Sequence, residues 1–365
     1  MTRTLSMKGL VKTSHQTSKC MIRILPLAVF FCLISLYSEA QTVCTQTLRQ
    51  ARTVYDEGRI HELPALLESC LKNGFTDDEK TEAYRLLVLA YLYLDEAEKA
   101  DEGMLALLRH NNQFQINPQA DPAEFINLYN TFRTTPIFSY GVKGGGNISL
   151  VNVMTNYGVH DQRNTMGEYT PAPGYVVGGM IEIILKKNLT LSGELTLAGY
   201  NLNYNNSFSN VDSVNRFIES QEITETQTWI AIPVTVQYQF AKGRFNPYVL
   251  LGGSANYLLS SSFKGETQTS IENFEGATVD LTNQRNQINF SAIAGAGIKI
   301  KVGKNHFITE ARFNYGILNQ VKEENRLNNQ ELIFDYGYVD DDFKLNGISV
   351  SLGYLLPKYN PKKLN

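Results

Sequence analysis

Six ionisable residues in the second half of the chain combine type and spacing in a way that points to chemistry: Lys143, Glu182, Glu194, Lys299, Glu310 and Arg312. Each falls on the polar side of a run that alternates apolar and polar residues. Each also lies about three to seven residues from the same end of its run. Three are acids and three are bases. If the runs close into a barrel, the six meet in one layer, where an unpaired charge would be very costly. Ion pairing that plugs a lumen is the chemistry they support. The other use of such a layer is a charged constriction in a conducting pore, which the narrow bore of a small barrel disfavours.

Covalent chemistry rests with two cysteines. Cys20 and Cys32 lie in an amino-terminal segment of export type, which leaves Cys44 and Cys70. Cys44 opens one predicted helix and Cys70 closes the next. The two ends of a helical hairpin are neighbours, so the reading is a disulfide closing a loop of about 25 residues. Two buried free thiols are the alternative.

Signs of catalysis are sparse. His160-Asp161 and Asp340-Asp341-Asp342 fall in long connections and read as solvated loop residues, and the acidic trio lacks the spacing of a calcium loop. His61-Glu62 has no second histidine for a zinc-protease motif, and neither a phosphate loop nor a dinucleotide fingerprint occurs. No enzyme activity, cofactor or metal is therefore expected.

The elements that must position the six charges are eight alternating segments between Ile137 and Pro357. Ile230, Ile232, Val234, Val236, Tyr238 and Phe240 form one face of the fourth, against Trp229, Ala231, Pro233, Thr235, Gln237 and Gln239 on the other. Period two marks a strand, because a helix needs period 3.6. The connections alternate in length. Lys186–Asn188, Ala241–Asn246 and Gly303–Asn305 are short; Met154–Pro173, Tyr204–Glu225, Ser262–Arg285 and Val321–Asp342 are long and polar. Outer-membrane barrels are built this way, with tight periplasmic turns and long outer loops. Aromatics collect at both strand ends: Phe138, Tyr140, Tyr238, Phe240, Phe307 and Tyr354 at one side, Tyr175, Phe290 and Tyr315 at the other, as interface girdles do. A water-soluble barrel of lipocalin type is the competing architecture, and it would bury the aliphatic set inward.

Residues 1–40 hold five basic residues, an apolar core from Ile24 to Tyr37, then Ser38-Glu39-Ala40. This reads as a cleavable secretory signal starting at Met1, Met7 or Met21. The whole chain carries a net charge of −3; without those residues, five basic and one acidic, the balance is about −7. Nucleic acid is an unsuitable partner for such a chain.

Residues 41–135 switch to helical period, giving two hairpins and a short helix over Ala123–Phe132. Thr76-Asp77-Asp78-Glu79 is a helix start, and Pro118, Pro122 and Pro136 punctuate the run into the barrel. A spacing of about 34 residues between hairpins, with small and aromatic residues at Ala51, Tyr55 and Gly58 and then at Tyr84, Ala90 and Tyr91, resembles degenerate tetratricopeptide repeats. Tyr55, Tyr84 and Tyr91 are the candidate binding face. A groove for a peptide or partner helix and a plain cap on the barrel both remain open.

Four stretches carry a wider resemblance: Trp229-Ile-Ala-Ile-Pro-Val-Thr-Val-Gln-Tyr238, Asn246-Pro-Tyr-Val-Leu-Leu-Gly-Gly253, Ala294-Gly-Ala-Gly297 and Glu310-Ala-Arg-Phe-Asn-Tyr-Gly316. Over about Pro136 to Pro357 the chain resembles the PorT-like outer-membrane β-barrel family. That resemblance implies an integral outer-membrane protein without catalysis, one member being linked to protein secretion.

The expectation is an α plus transmembrane β protein: a signal over 1–40, a periplasmic tetratricopeptide-like module over 41–135, an eight-stranded antiparallel outer-membrane barrel over 136–357 and a periplasmic tail over 358–365. The expected role is a barrel in outer-membrane lipid anchoring a helical module that binds a periplasmic protein or peptide, in envelope assembly or secretion. Small-solute transport and surface-loop adhesion are the alternatives.

Overall fold

The computed structural model describes residues 38–157, 167–207, 218–241, 243–269, 273–334, 336 and 338–364. Most of the export segment, with Cys20 and Cys32, and the pair His160-Asp161 lie outside the described residues. The chain divides into two compact units, a helical one up to Thr135 that also takes in Asn360–Asn365, and a β unit from Pro136 to Tyr359.

In the helical unit α1 spans Ser38–Asp56, α2 Leu63–Lys72, α3 Asp77–Tyr93, α4 Ala97–His110 and α5 Ala123–Asn130. Their limits follow from local chemistry. Gly58 takes a left-handed φ of +78° after α1, where a side chain would be strained. Pro64 sits in the first turn of α2, where the amide it lacks has no partner to lose. Thr76 caps α3 through a reciprocal pair with Glu79, whose backbone N–H donates to the Thr76 hydroxyl while its carboxylate accepts from the Thr76 N–H. Cys44 and Cys70 form a disulfide joining α1 to α2, with an S–S distance of 2.07 Å. Leu48, Ala51, Val54, Leu63, Leu67 and Leu86 fill one core; Val88, Met104, Leu107, Leu108 and Phe125 fill the next.

The last residues return to this unit. The Arg133 N–H donates to Lys362 O at 2.9 Å and the Leu364 N–H to Thr131 O at 2.7 Å. The Arg133 guanidinium reaches Asn360 O at 2.7 Å, and Lys363 pairs with Asp101. The tail is therefore bound to the helical unit.

In the β unit eight long strands follow in order: β1 Phe138–Thr155, β2 Ala172–Lys186, β3 Leu189–Ser207, β4 Ile218–Gln239, β5 Phe245–Thr269, β6 Ile288–Val302, β7 Asn305–Gly316 and β8 Asp342–Lys358. Each pairs antiparallel with the next, and β8 returns to β1 in register from Phe138↔Lys358 to Thr155↔Asp342, so the ring is closed. At this seam Gly145 is required: a Cβ there would stand 2.0 Å from Val350 O.

Side-chain exposure alternates with period two, and its sense decides the solvent. Outward Val142, Leu195, Leu251 and Val350 are 55–66% exposed, while inward Ser192, Thr235 and Gln237 are at most 1% exposed. Apolar out and polar in is the reverse of a lipocalin and fits a barrel surrounded by lipid. Tyr140, Tyr238, Phe240, Phe307 and Tyr354 lie exposed toward one end, and Tyr175, Phe290 and Tyr315 toward the other. Among the described residues no helix is long and apolar enough to cross a membrane.

The three short turns lie at one end, together with the start of β1 and the end of β8. At the other end the sequence reading needs correction. Much of what reads as long polar loop is strand: β3, β4 and β5 run on to Ser207, from Ile218 and to Thr269, and Glu168–Thr170, Asn273–Glu275 and Val279–Asp280 add short strands to them. This outer head has its own core of Tyr204, Ile223, Phe263, Leu281, Leu332 and Tyr338. Alternation along β4 continues past the membrane belt because the buried partner changes from lumen to head, while the period stays two.

Candidate functional site

The six charges singled out by sequence come from five strands, Glu310 and Arg312 sharing β7, and meet inside the barrel, each no more than 7% exposed. Lys143 Nζ lies 2.6 Å from Glu194 Oε2 and 3.5 Å from Glu310 Oε1. Arg312 grips Glu194 with two guanidinium nitrogens, at 3.0 and 2.5 Å, and its Nε contacts Glu310. Lys299 pairs with Glu182 at 2.6 Å. A residue that sequence reading missed joins the two groups: Tyr248 donates its hydroxyl to Glu310 Oε2 at 2.8 Å, and the Lys299 ammonium lies 5.1 Å from its ring centre. Tyr248 occupies an inward position of β5, so the alternation alone marks it as luminal. The layer is neutral, with three acids against three bases, and Met180, Leu250, Ile293, Ile308 and Leu355 pack around it.

A second ionic layer, which sequence reading did not foresee, lies at the end away from the short turns. Arg285 is fully buried, its side chain 0% exposed. Its guanidinium forks onto two carboxylates, donating to Glu225 at 2.8 and 2.7 Å and to Asp340 at 2.7 and 2.8 Å. Burial alone would lower the Arg285 pKa, but Asp340 and Glu225 outweigh it and hold the group charged, well above its ordinary range. Ser261 and Gln227 also donate to Glu225, at 2.6 and 2.7 Å, and Trp229 donates to Gln227 at 2.9 Å. A chain of bonds thus runs down β4 from the head into the lumen.

The acidic trio departs from expectation. Asp340, Asp341 and Asp342 are 1%, 3% and 7% exposed, so they are not solvated loop residues. Asp340 holds Arg285. Asp342 pairs with Arg326, whose guanidinium stacks 3.5 Å from the ring centre of Tyr157. Asp341 accepts the Tyr157 N–H at 2.9 Å and, among the described residues, meets no cation as closely. Burial raises its pKa, and Asp340 and Asp342 add to the rise. The physical reason for burial is pairing with buried guanidiniums, Arg285 from the connection before β6 and Arg326 from the same connection as the trio. Among the described residues no cluster of His, Cys, Asp or Glu is arranged to hold a metal.

In the helical unit the three tyrosines take different places. Tyr55 packs against both helical cores. Tyr91 lies under the Lys99 ammonium, 5.7 Å from its ring centre. Tyr84 alone lines an open groove on α3 and α4, with Lys80, Glu102, Leu105, Arg109 and His110. Tyr84 and Tyr91, seven residues apart on α3, both lie toward α4, whereas Tyr55 is packed between the cores.

The family described as outer membrane protein beta-barrel domain matches residues 131–321. Among solved structures the chain is similar to the attachment invasion locus protein Ail of Yersinia pestis, at 14% identity over 60% of this chain and 98% of that one, with a TM-score of 0.27. It is similar to the outer membrane protein OprG from Pseudomonas aeruginosa, at 11% identity over 61% and 98%, with a TM-score of 0.33. It is also similar to a major outer membrane protein from Thermus thermophilus, at 10% identity over 60% and 99%, with a TM-score of 0.32. No curated protein matches it.

Proposed function

The chain belongs to the outer membrane protein beta-barrel domain family, and on that premise we propose that its barrel is a closed anchor for a periplasmic helical unit that binds a protein or peptide. The observation that carries this reading is the filling of the lumen. Lys143, Glu194, Glu310 and Arg312 interlock across the bore, and the buried Arg285 cluster lies further from the short turns. A conduit has no use for interlocked ion pairs across its bore, so solute transport is the weaker role. The chain enters and leaves the barrel at the short-turn end, which in this class of barrel is the periplasmic one. That argues for helices in the periplasm.

Under this reading the helical hairpins act as a short tetratricopeptide-like platform and the groove at Tyr84 receives the partner. A role in envelope assembly or secretion, as in the PorT-like family, and the absence of enzymatic activity belong to the same proposal. Crosslinking in intact cells followed by affinity purification tests it. A partner captured by the parent chain and lost with Tyr84→Ala or Arg109→Glu supports the reading, and capture unaffected by both variants and by removal of residues 41–134 counts against it. The folded outer head favours a second reading, surface recognition, because an apolar core in loops gives a fixed shape rather than a tether.

A further inference from the structure

The short-turn end of the barrel carries exposed charge of one sign. Lys186 and Lys187 at the β2–β3 turn, Arg244 at the β4–β5 turn, Lys304 at the β6–β7 turn and Lys358 at the end of β8 are all exposed. The segments that form this end, residues 136–141, 183–193, 235–248, 296–309 and 352–359, contain no Asp or Glu. Among the described residues Lys186, Lys187, Arg244 and Lys358 form no ion pair, whereas Lys299, further inside, is held by Glu182. At the other end Glu168, Glu222, Glu266 and Glu331 are exposed, so the charge of the barrel is divided along its axis.

Position decides what these cations face. The strands follow one another around a closed ring, so the three turns and the end of β8 stand two strands apart and encircle the barrel. The cations also border the outward aromatic belt. Arg244 precedes Phe245, its guanidinium carbon 5.9 Å from that ring's centre; Lys304 is three residues from Phe307 and Lys358 four from Tyr354. All three rings are exposed on the apolar outer face. At about 3.3 Å per residue on a strand tilted about 40°, four residues advance roughly 10 Å along the membrane normal. The headgroup region is about 5–8 Å deep on each side of the hydrocarbon, so cations set against or just past the aromatic belt stand among headgroups.

We infer that this rim binds the headgroups of anionic phospholipid in the leaflet around it. An acidic protein would be met by a patch on one side, whereas lipid reaches the barrel from every side, as these cations do. A free anion is held by groups that converge, and these diverge around a ring. Each cation attracts the anionic surface on its own, and the stems of lysine and arginine let the charge follow a headgroup.

The test uses full-length protein refolded into phosphatidylcholine vesicles with a trace of spin-labelled phosphatidylglycerol or spin-labelled phosphatidylcholine, and electron spin resonance reads how much of each label the barrel immobilises. One cation near the surface favours the anionic lipid about fivefold, the factor for about 1 kcal/mol. Averaged with a leaflet at the other end that shows no preference, the parent is expected to favour phosphatidylglycerol about threefold. The preference is expected to vanish in about 1 M salt, where charges are screened beyond about 3 Å. It also vanishes in the combined variant Lys186→Gln, Lys187→Gln, Arg244→Gln and Lys358→Gln, and it survives both Lys264→Gln with Lys344→Gln at the other end and inorganic phosphate added at constant ionic strength. Circular dichroism and the heat-dependent shift in gel migration establish that each variant is folded. Equal immobilisation of the two labels by the parent overturns the assignment and leaves the rim to an acidic protein. So does a preference kept by the folded rim variant or lost from the other-end variant, and displacement by inorganic phosphate leaves the rim to a free anion.

Discussion

Replacing Arg285 by methionine removes the cation that holds both Glu225 and Asp340 inside the outer head. Four guanidinium hydrogen bonds of 2.7–2.8 Å are lost, and two carboxylates are left without their counterion at a site with no solvent access. Breaking one buried pair in this way costs about 3–5 kcal/mol, and a residue serving two partners belongs at the upper end. Ser261 and Gln227 still donate to Glu225, which keeps the loss from growing further. The cost falls on the head, because the lower layer has its own cations. The assay is cleavage of the 317–341 connection by a protease added to protein in micelles, in the regime where the rate follows the population of the open form. A loss of 3–5 kcal/mol raises that population by roughly 150- to 4,000-fold, at about 1.4 kcal/mol for each factor of ten, with the strand signal of the barrel unchanged. The triple replacement Arg285→Met, Glu225→Met and Asp340→Leu is expected to restore protection to within about 1 kcal/mol, since apolar groups of similar volume can stand in for a buried ionic cluster. Cleavage of Arg285→Met within threefold of the parent would refute the reasoning.

Three further outcomes follow from the same structure. Asp341 is an acid whose pKa burial raises, so its ionised form opposes the folded head: its contribution is most favourable below the unfolded pKa and falls as pH rises through the folded one. Urea titrations should therefore find Asp341→Asn as stable as the parent or more stable at pH 7, with the gain vanishing in acid; a destabilised variant at pH 7 would show that Asp341 acts as a needed anion. Replacing Cys44 and Cys70 by alanine opens a loop of sequence separation 26 and is expected to cost the helical unit about 3 kcal/mol, read as a lower helical melting midpoint with the strand signal unmoved. Removing residues 360–365 deletes the bonds to Arg133 and Thr131 and the Lys363–Asp101 pair, and should destabilise the helical unit by about 2–3 kcal/mol at roughly 1 kcal/mol per hydrogen bond, measured by the same melt.

What the sequence made legible was set by periodicity. Strict alternation along β3, β4 and β8 assigns faces, and turn residues such as Gly303, which takes a φ of +60°, mark the short connections. Inward position also put Lys143, Glu194 and Arg312 on one side of their strands. Tyr248 sits on the same side of β5, but an aromatic among inward charges carries no obvious label until its hydroxyl is seen against Glu310. The outer layer was illegible for a different reason. Arg285 and Asp340 lie in separate irregular connections 55 residues apart, where no period links one to the other. Glu225 offered the one usable signal: extending the alternation of β4 outward through Trp229 and Gln227 places it inside. In the helical unit, caps and breakers marked α3 and the loop after α1, whereas the tail bound at Arg133 depends on contacts across 227 residues that local pattern cannot carry.

Paired charge inside the bore is what would close the barrel, and electrical recording from the full-length protein in planar lipid bilayers tests that most directly. Ion pairs interlocked across the bore predict no steady conductance for the parent chain at moderate voltage, and none gained on removing the helical unit. A stable open current whose ion selectivity shifts with Glu194→Gln would contradict it, because the lower layer would then line a pore and could not be its plug.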